Sequence, residues 1–195
     1  MKLSRSFMHF VIGVGIACVS ALSAAQTPTD PRALIAVQKT ALEKFARIDG
    51  IWRGPAWTLL PSGEKHSITQ TERIGPFLDG SIRVIEGRGY EADGRVGFNA
   101  FGVISYSPET NSYRFRSHAQ GRYGEFPIRP TDDGYVWEIA LGQTTMRYTA
   151  TIKDGVFKEV GDVIAPGKEL ARVFEMTLTR VGDTDWPAGN PVSAK

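Results

Sequence analysis

Residues 133–155 read DGYVWEIALGQTTMRYTATIKDG, two runs rich in β-branched and aromatic residues, bracketed by Asp-Gly pairs and joined at Gly142. Such runs suit strands, and Asp-Gly supplies the positive φ that both central positions of a type I′ hairpin require. The stretch therefore predicts antiparallel strands at about 134–140 and 144–153. The same pair recurs at Asp49-Gly50, Asp79-Gly80 and Asp93-Gly94. Asp93-Gly94, Asp133-Gly134 and Asp154-Gly155 are expected at hairpin tips. Asp79-Gly80 is expected to close a longer turn begun at Gly75-Pro76, and Asp49-Gly50 to end a helix.

Working outward, strands are predicted at about 50–60, 65–74, 81–91, 96–106, 112–120, 122–128, 156–163 and 170–181, making about ten in all. The connections carry turn chemistry, such as Pro61-Ser62-Gly63, Pro108 to Asn111 and Pro166-Gly167. They leave no room for crossover helices, so neighbours in sequence must pair antiparallel. Ahead of the strands, Asp30 is placed to cap a helix with Pro31 at its first position. Leu34, Val37, Ala41, Phe45 and Ile48 then form one apolar stripe. Closing the sheet removes its exposed edges and leaves that amphipathic helix to plug one end or cover a seam. The expected fold is mainly β: a single closed antiparallel up-and-down barrel over 50–182, preceded by a linker and helix over 26–49 and followed by a tail over 183–195.

The first residues carry a different signal. Lys2 and Arg5 precede an apolar run from Phe7 to Leu22, and Ser23-Ala24-Ala25 follows. That order predicts a signal peptide over 1–25, cleaved after Ala25, and a periplasmic or secreted mature protein with no integral membrane segment. Gly15-Ile16-Ala17-Cys18 faintly resembles a lipoprotein signal, but the apolar run continues past Cys18 and favours ordinary cleavage. Cys18 is the only cysteine, so the mature chain must hold itself together without disulfides. Its length of about 170 residues suffices for a core. Removing Lys2 and Arg5 from 23 basic residues leaves 21 against 21 acidic ones. The balanced charge gives no footprint for nucleic acid or an anionic membrane.

Gly50-Ile51-Trp52 opens the first strand, and Arg180 stands near the end of the last. This resembles the Gly-x-Trp and arginine pairing of the calycin superfamily, which implies that Trp52 and Arg180 form the barrel floor. A guanidinium over an indole face is also favourable in its own right. The helix leading into Trp52, the turn Gly75-Pro76-Phe77-Leu78-Asp79-Gly80, and Ser105-Tyr106-Ser107-Pro108 ahead of Tyr113 are similar to a lipocalin-like family of exported bacterial proteins with no established activity. That resemblance covers most of 32–182. Better-understood barrels differ. Fatty-acid-binding proteins insert a helical lid where only Pro61 to Glu64 stand here, and true lipocalins place a helix after the barrel. Nitrobindin-like haem barrels use a late histidine, whereas this chain after Ala25 has only His66 and His118. No cofactor is expected.

Candidate binding residues come from polar and aromatic positions that alternate within strands. Glu72 shares a face with His66, Ile68 and Gln70; Glu86 and Arg88 share another. For 113–120 two arrangements stay open. Tyr113, Phe115, Ser117 and Ala119 point inward with the basic row in solvent, as ordinary half-buried alternation favours, or Arg114, Arg116, His118 and Gln120 point inward. In the second case Glu72, Arg88 and His118 gather around an anionic or polar head group. The aromatic positions expected to face inward are Tyr90, Phe98, Tyr106, Tyr123, Trp137, Tyr148 and Phe174, with Trp57 toward the mouth and Trp186 pinning the tail. The ligand-binding set is thus Trp57, Glu72, Arg88, Tyr106, Arg116, His118 and Trp137. No Gly-x-Ser-x-Gly occurs, and two histidines without cysteine make a protein metal site unexpected. The expected function is to bind a small hydrophobic or amphipathic molecule. A lyase, isomerase or esterase-like enzyme using Glu72 and His118 is the alternative, and an envelope scaffold with a filled core a second.

Overall fold

A computed structural model describes residues 30–184 and 186. The predicted signal segment, its cleavage position, Cys18 and most of the tail lie outside the described residues. Helix α1 spans Pro31–Leu42 and is capped by Asp30, whose carboxylate accepts from the Arg32 amide at 3.2 Å. The chain then tightens into a 3-10 turn over Glu43–Ile48. This differs from the uniform helix expected. With three residues per turn, Leu42, Phe45 and Ile48 fall on one face, and these are the helical residues fully buried, while Val37 stays exposed.

Ten strands follow: β1 Gly50–Leu59, β2 Lys65–Phe77, β3 Ile82–Tyr90, β4 Val96–Ser107, β5 Ser112–Ala119, β6 Arg122–Pro130, β7 Gly134–Leu141, β8 Thr144–Lys153, β9 Val156–Ile164 and β10 Ala171–Gly182. Each pairs antiparallel with its sequence neighbours, and β1 also pairs with β10, closing the barrel. β2 runs through Gly75-Pro76, where a turn was expected. Pro76 lies past the start of β1, since Gly50 pairs with Ile74, so Pro76 faces only Arg83 of β3 and its missing N–H disturbs no second ladder. The turn comes afterward, with Leu78, Asp79 and Gly80 all at positive φ.

The Asp-Gly pairs do unequal work. Of the three expected hairpin tips, Asp154-Gly155 alone takes positive φ at both residues, as a type I′ turn needs; Asp79-Gly80 does so as well, but within the longer turn after β2. At Asp93-Gly94 only the glycine is left-handed, and the Glu91 and Arg95 backbones close a longer loop around it. Asp133-Gly134 is no type I′ tip. Gly134 instead begins β7 so close to β8 that a Cβ would lie 2.1 Å from the Ala150 carbonyl oxygen.

One end of the barrel is filled. Leu42, Phe45 and Ile48 enter it beneath Trp52, and the Trp52 indole donates to the Ile48 carbonyl at 2.8 Å. Phe157 meets Trp52 edge-on, and Tyr113 donates to the Ala41 carbonyl at 3.1 Å. Arg180, the register partner of Trp52, lies 5.8 Å from its ring centroid and donates to the Asp49 carbonyl. Buried Arg83 reaches from β3 to the Asp49 carboxylate at 2.8 and 3.0 Å and to the Leu42 carbonyl. Trp186 packs on Phe77 outside the barrel and donates to the Arg73 carbonyl. No helix among the described residues is long and apolar enough to cross a membrane.

Candidate functional site

The opposite half of the barrel is hollow, with a cavity of about 760 Å³. It follows from strand alternation above the floor. β1 sends Ala56 inward, β2 sends Ile68, Gln70, Glu72 and Ile74, and β5 sends Phe115, Ser117 and Ala119. β7 adds Tyr135, Trp137 and Ile139, β8 adds Tyr148, β9 adds Phe157 and Glu159, and β10 adds Phe174 and Met176. Residues from the strand ends away from the helix, including Thr58, His66, Gln120 and Leu141, form the mouth.

Glycines make the space usable. A Cβ on Gly87 would come within 2.9 Å of a Glu72 carboxylate oxygen, and one on Gly161 within 2.9 Å of the Tyr148 ring. The wall they admit is aromatic. Trp137 and Tyr148 stack at 4.1 Å with planes 6° apart, Phe115 and Phe126 approach Trp137, and Phe174 meets Tyr148 edge-on.

Two carboxyl groups stand in this apolar space. Glu159 accepts from the Tyr135 hydroxyl at 2.5 Å and the Trp137 indole at 3.2 Å. Glu72, beside Trp52 in register, accepts through Oε1 from the Gln70 amide at 2.7 Å. Its other oxygen, Oε2, is buried with no hydrogen-bond partner. No ion pair is found on either carboxyl among the described residues. Burial pushes the Glu72 carboxyl up to about 8; the Gln70 hydrogen bond opposes this, and Glu159 and Glu86 add to it. Burial raises Glu159 as well, against its bonds from Tyr135 and Trp137. The Tyr148 hydroxyl is pushed up to about 12 by burial and then by Glu159. At neutral pH Glu72 therefore holds its proton in most molecules, and it can donate a hydrogen bond to a guest or accept one after losing that proton.

The structure brings only part of the sequence-derived set together. Glu72 and Trp137 line the cavity. Trp57 touches its rim, with the Lys65 ammonium 3.7 Å over its ring. Tyr106 lies nearer the floor, against Tyr113, and donates to Asn111. The basic residues face solvent, because Gly87, Phe115 and Ser117 take the inward positions beside them. Arg88 pairs with Glu86 and Arg116 with Glu125 on the outer face, where His118 stacks on Tyr123. The grouping of Glu72, Arg88 and His118 therefore does not form. Tyr123, expected inside, is 85% exposed and touches only the rim of the cavity, and Tyr90 is not among the residues that line it. Sequence reasoning missed Glu159 and Tyr135. The signal for Glu159 was available in Phe157, Glu159 and Gly161, a charged residue on the otherwise apolar parity of one strand.

No family model matches this chain, and no curated protein matches it. Among solved structures, its barrel is similar to the crystal structure of Rv2717c from M. tuberculosis. The TM-score is 0.54 at 13% identity, covering 72% of this chain and 96% of that one. At that identity the likeness shows a shared fold and nothing further.

Proposed function

We propose that this chain is an exported, lipocalin-like barrel of the calycin type that holds a small hydrophobic or amphipathic molecule. The observation that carries the reading is the aromatic-walled cavity of about 760 Å³ with a few convergent polar groups. A scaffold with a filled core would have no use for such a space. Export is supported by the order of charged, apolar and small residues at the start of the chain, and membership of the calycins by Trp52 beneath Arg180.

The test is to purify the full chain after expression with its own leader, then record native and denaturing mass spectra. A co-purifying small molecule, released on denaturation, is expected, together with a mature mass beginning at Gln26. An empty protein that also fails to take up apolar probes would overturn the binding reading. Retention of residues 1–25 would overturn export.

A second reading rests on Glu72 alone. A carboxyl titrating near 8 inside an apolar cavity is suited to general acid or base work in a lyase or isomerase. His118, on the outer face, has no part in it. Turnover by the wild type but not by Glu72→Gln, over a panel of apolar esters and enolisable ketones, is the outcome that would favour it.

A further inference from the structure

Resting on the binding reading above, we infer that the cavity selects an organic ammonium, an apolar amine whose N–H donates to Glu72 Oε2 while its hydrocarbon or aromatic part lies against Trp137 and Tyr148.

The argument begins with what is left over. Glu159 is satisfied by two donors from β7, so it is already committed. Glu72 is 8% exposed, its Oε1 is held by Gln70, and its Oε2 has no partner while the side chain faces the cavity. A buried acceptor without a donor is costly, and a guest that supplies the donor recovers that cost. The sign of the guest follows from the surroundings. Away from the mouth, the titratable groups that β2, β7, β8 and β9 turn toward this space are Glu72, Tyr135, Tyr148 and Glu159, two acids and two phenols, beside the neutral Gln70 amide. Glu86 adds negative charge from the outer side of β3. The basic groups that touch the cavity, His66 and Arg122, stand at the mouth, and His66 already pairs with Glu91. An anionic head group at this depth would face two carboxyls with no cation, whereas an ammonium pairs with Glu72 once that carboxyl gives up its proton and is attracted by the aromatic faces.

Binding has a proton signature. The free protein holds Glu72 as the acid at neutral pH, and an incoming ammonium stabilises its carboxylate. The ammonium keeps its protons, the Glu72 proton passes to buffer, and charge balances. An alcohol would leave the proton in place.

Three probes sharing one ring system decide the matter: 2-(1-naphthyl)ethylamine, 2-(1-naphthyl)ethanol and 1-naphthylacetate, titrated calorimetrically into the full-length protein in phosphate and in Tris. The amine is expected to bind at least about tenfold more tightly than either partner. It should release a fraction of a proton near neutral pH, seen as a buffer-dependent heat. Glu72→Gln should remove that release and most of the amine preference, with a cooperative thermal unfolding transition reporting that the variant is folded. If the alcohol or acid binds as tightly as the amine, or the amine binds without proton release, the inference fails and the binding barrel stands. If none of the three binds, the inference fails, and the co-purification experiment decides the binding reading separately.

Discussion

Arg83 grips Asp49 with two guanidinium nitrogens, at 2.8 and 3.0 Å, and thereby fixes the end of the helical segment to β3. The same guanidinium donates to the Leu42 carbonyl, and Arg180 of β10 donates to the Asp49 carbonyl from the other side. Asp49 thus ties the plug to β3 and to β10. A fork of five donors suits this task in a way that a lysine does not.

Removing that fork should loosen the floor. Arg83→Ala leaves a largely buried carboxylate and a helix-end carbonyl without their donors, so a loss of about 2–4 kcal/mol is expected in urea denaturation. Arg83→Lys should recover only part of it. A loss no larger than for an exposed arginine such as Arg95 would show that the pair does not anchor the plug.

Glu72 should make stability fall as pH rises. Its pKa goes from an ordinary 4.5 to about 8 in the folded protein, so between those values the unfolded chain has released a proton that the folded chain retains. Folding is then opposed progressively from about pH 4.5 to pH 8, with no further change above, and the buried Glu159 acts in the same direction. The Glu72 contribution is on the order of 5 kcal/mol. Glu72→Gln should flatten the profile and be the more stable protein at pH 8. An unchanged slope in the variant would show that Glu72 is not the group responsible.

The seam between β1 and β10 should not accept a methyl group. A Cβ on Gly54 would stand 2.2 Å from the Thr177 carbonyl oxygen and 2.9 Å from the Leu178 Cα, both backbone atoms that cannot swing aside. Gly54→Ala is therefore expected to cost about 2–4 kcal/mol by thermal or urea unfolding. The same change at Gly63, whose Cβ would meet nothing within 4 Å, should cost far less despite its positive φ.

Inner and outer faces should separate in binding assays. Trp137→Leu removes a stacked wall residue and should weaken retention of an apolar guest by about tenfold. Arg88→Ala, Arg116→Ala and His118→Ala lie across the strand from the cavity and should leave retention unchanged. Loss of guest in any of these three outer variants, with folding intact, would mean that the binding surface lies elsewhere.

Much of this molecule is decided locally, and local decisions are legible in sequence. Strand-forming runs alternate with turn residues every few positions, the connections are too short for crossovers, and Asp30-Pro31 starts a helix whatever surrounds it. Ten strands in a closed antiparallel order follow from these alone, with boundaries that differ from the structure mainly at β2, where Pro76 imitates a turn. Other properties depend on contacts between distant residues. Alternation fixes that Glu72 and Gln70 share a face, and that Arg116 and His118 share another, but not which face turns inward. Closure chose. The bulky Phe115, Trp137, Tyr148 and Phe174 converge inside because burying them removes the most apolar surface from water, and the basic row is left to pair with acids outside. The same closure carried Glu159 from β9 and Glu72 from β2 into one largely apolar space, giving Glu72 a pKa that no sequence neighbour predicts.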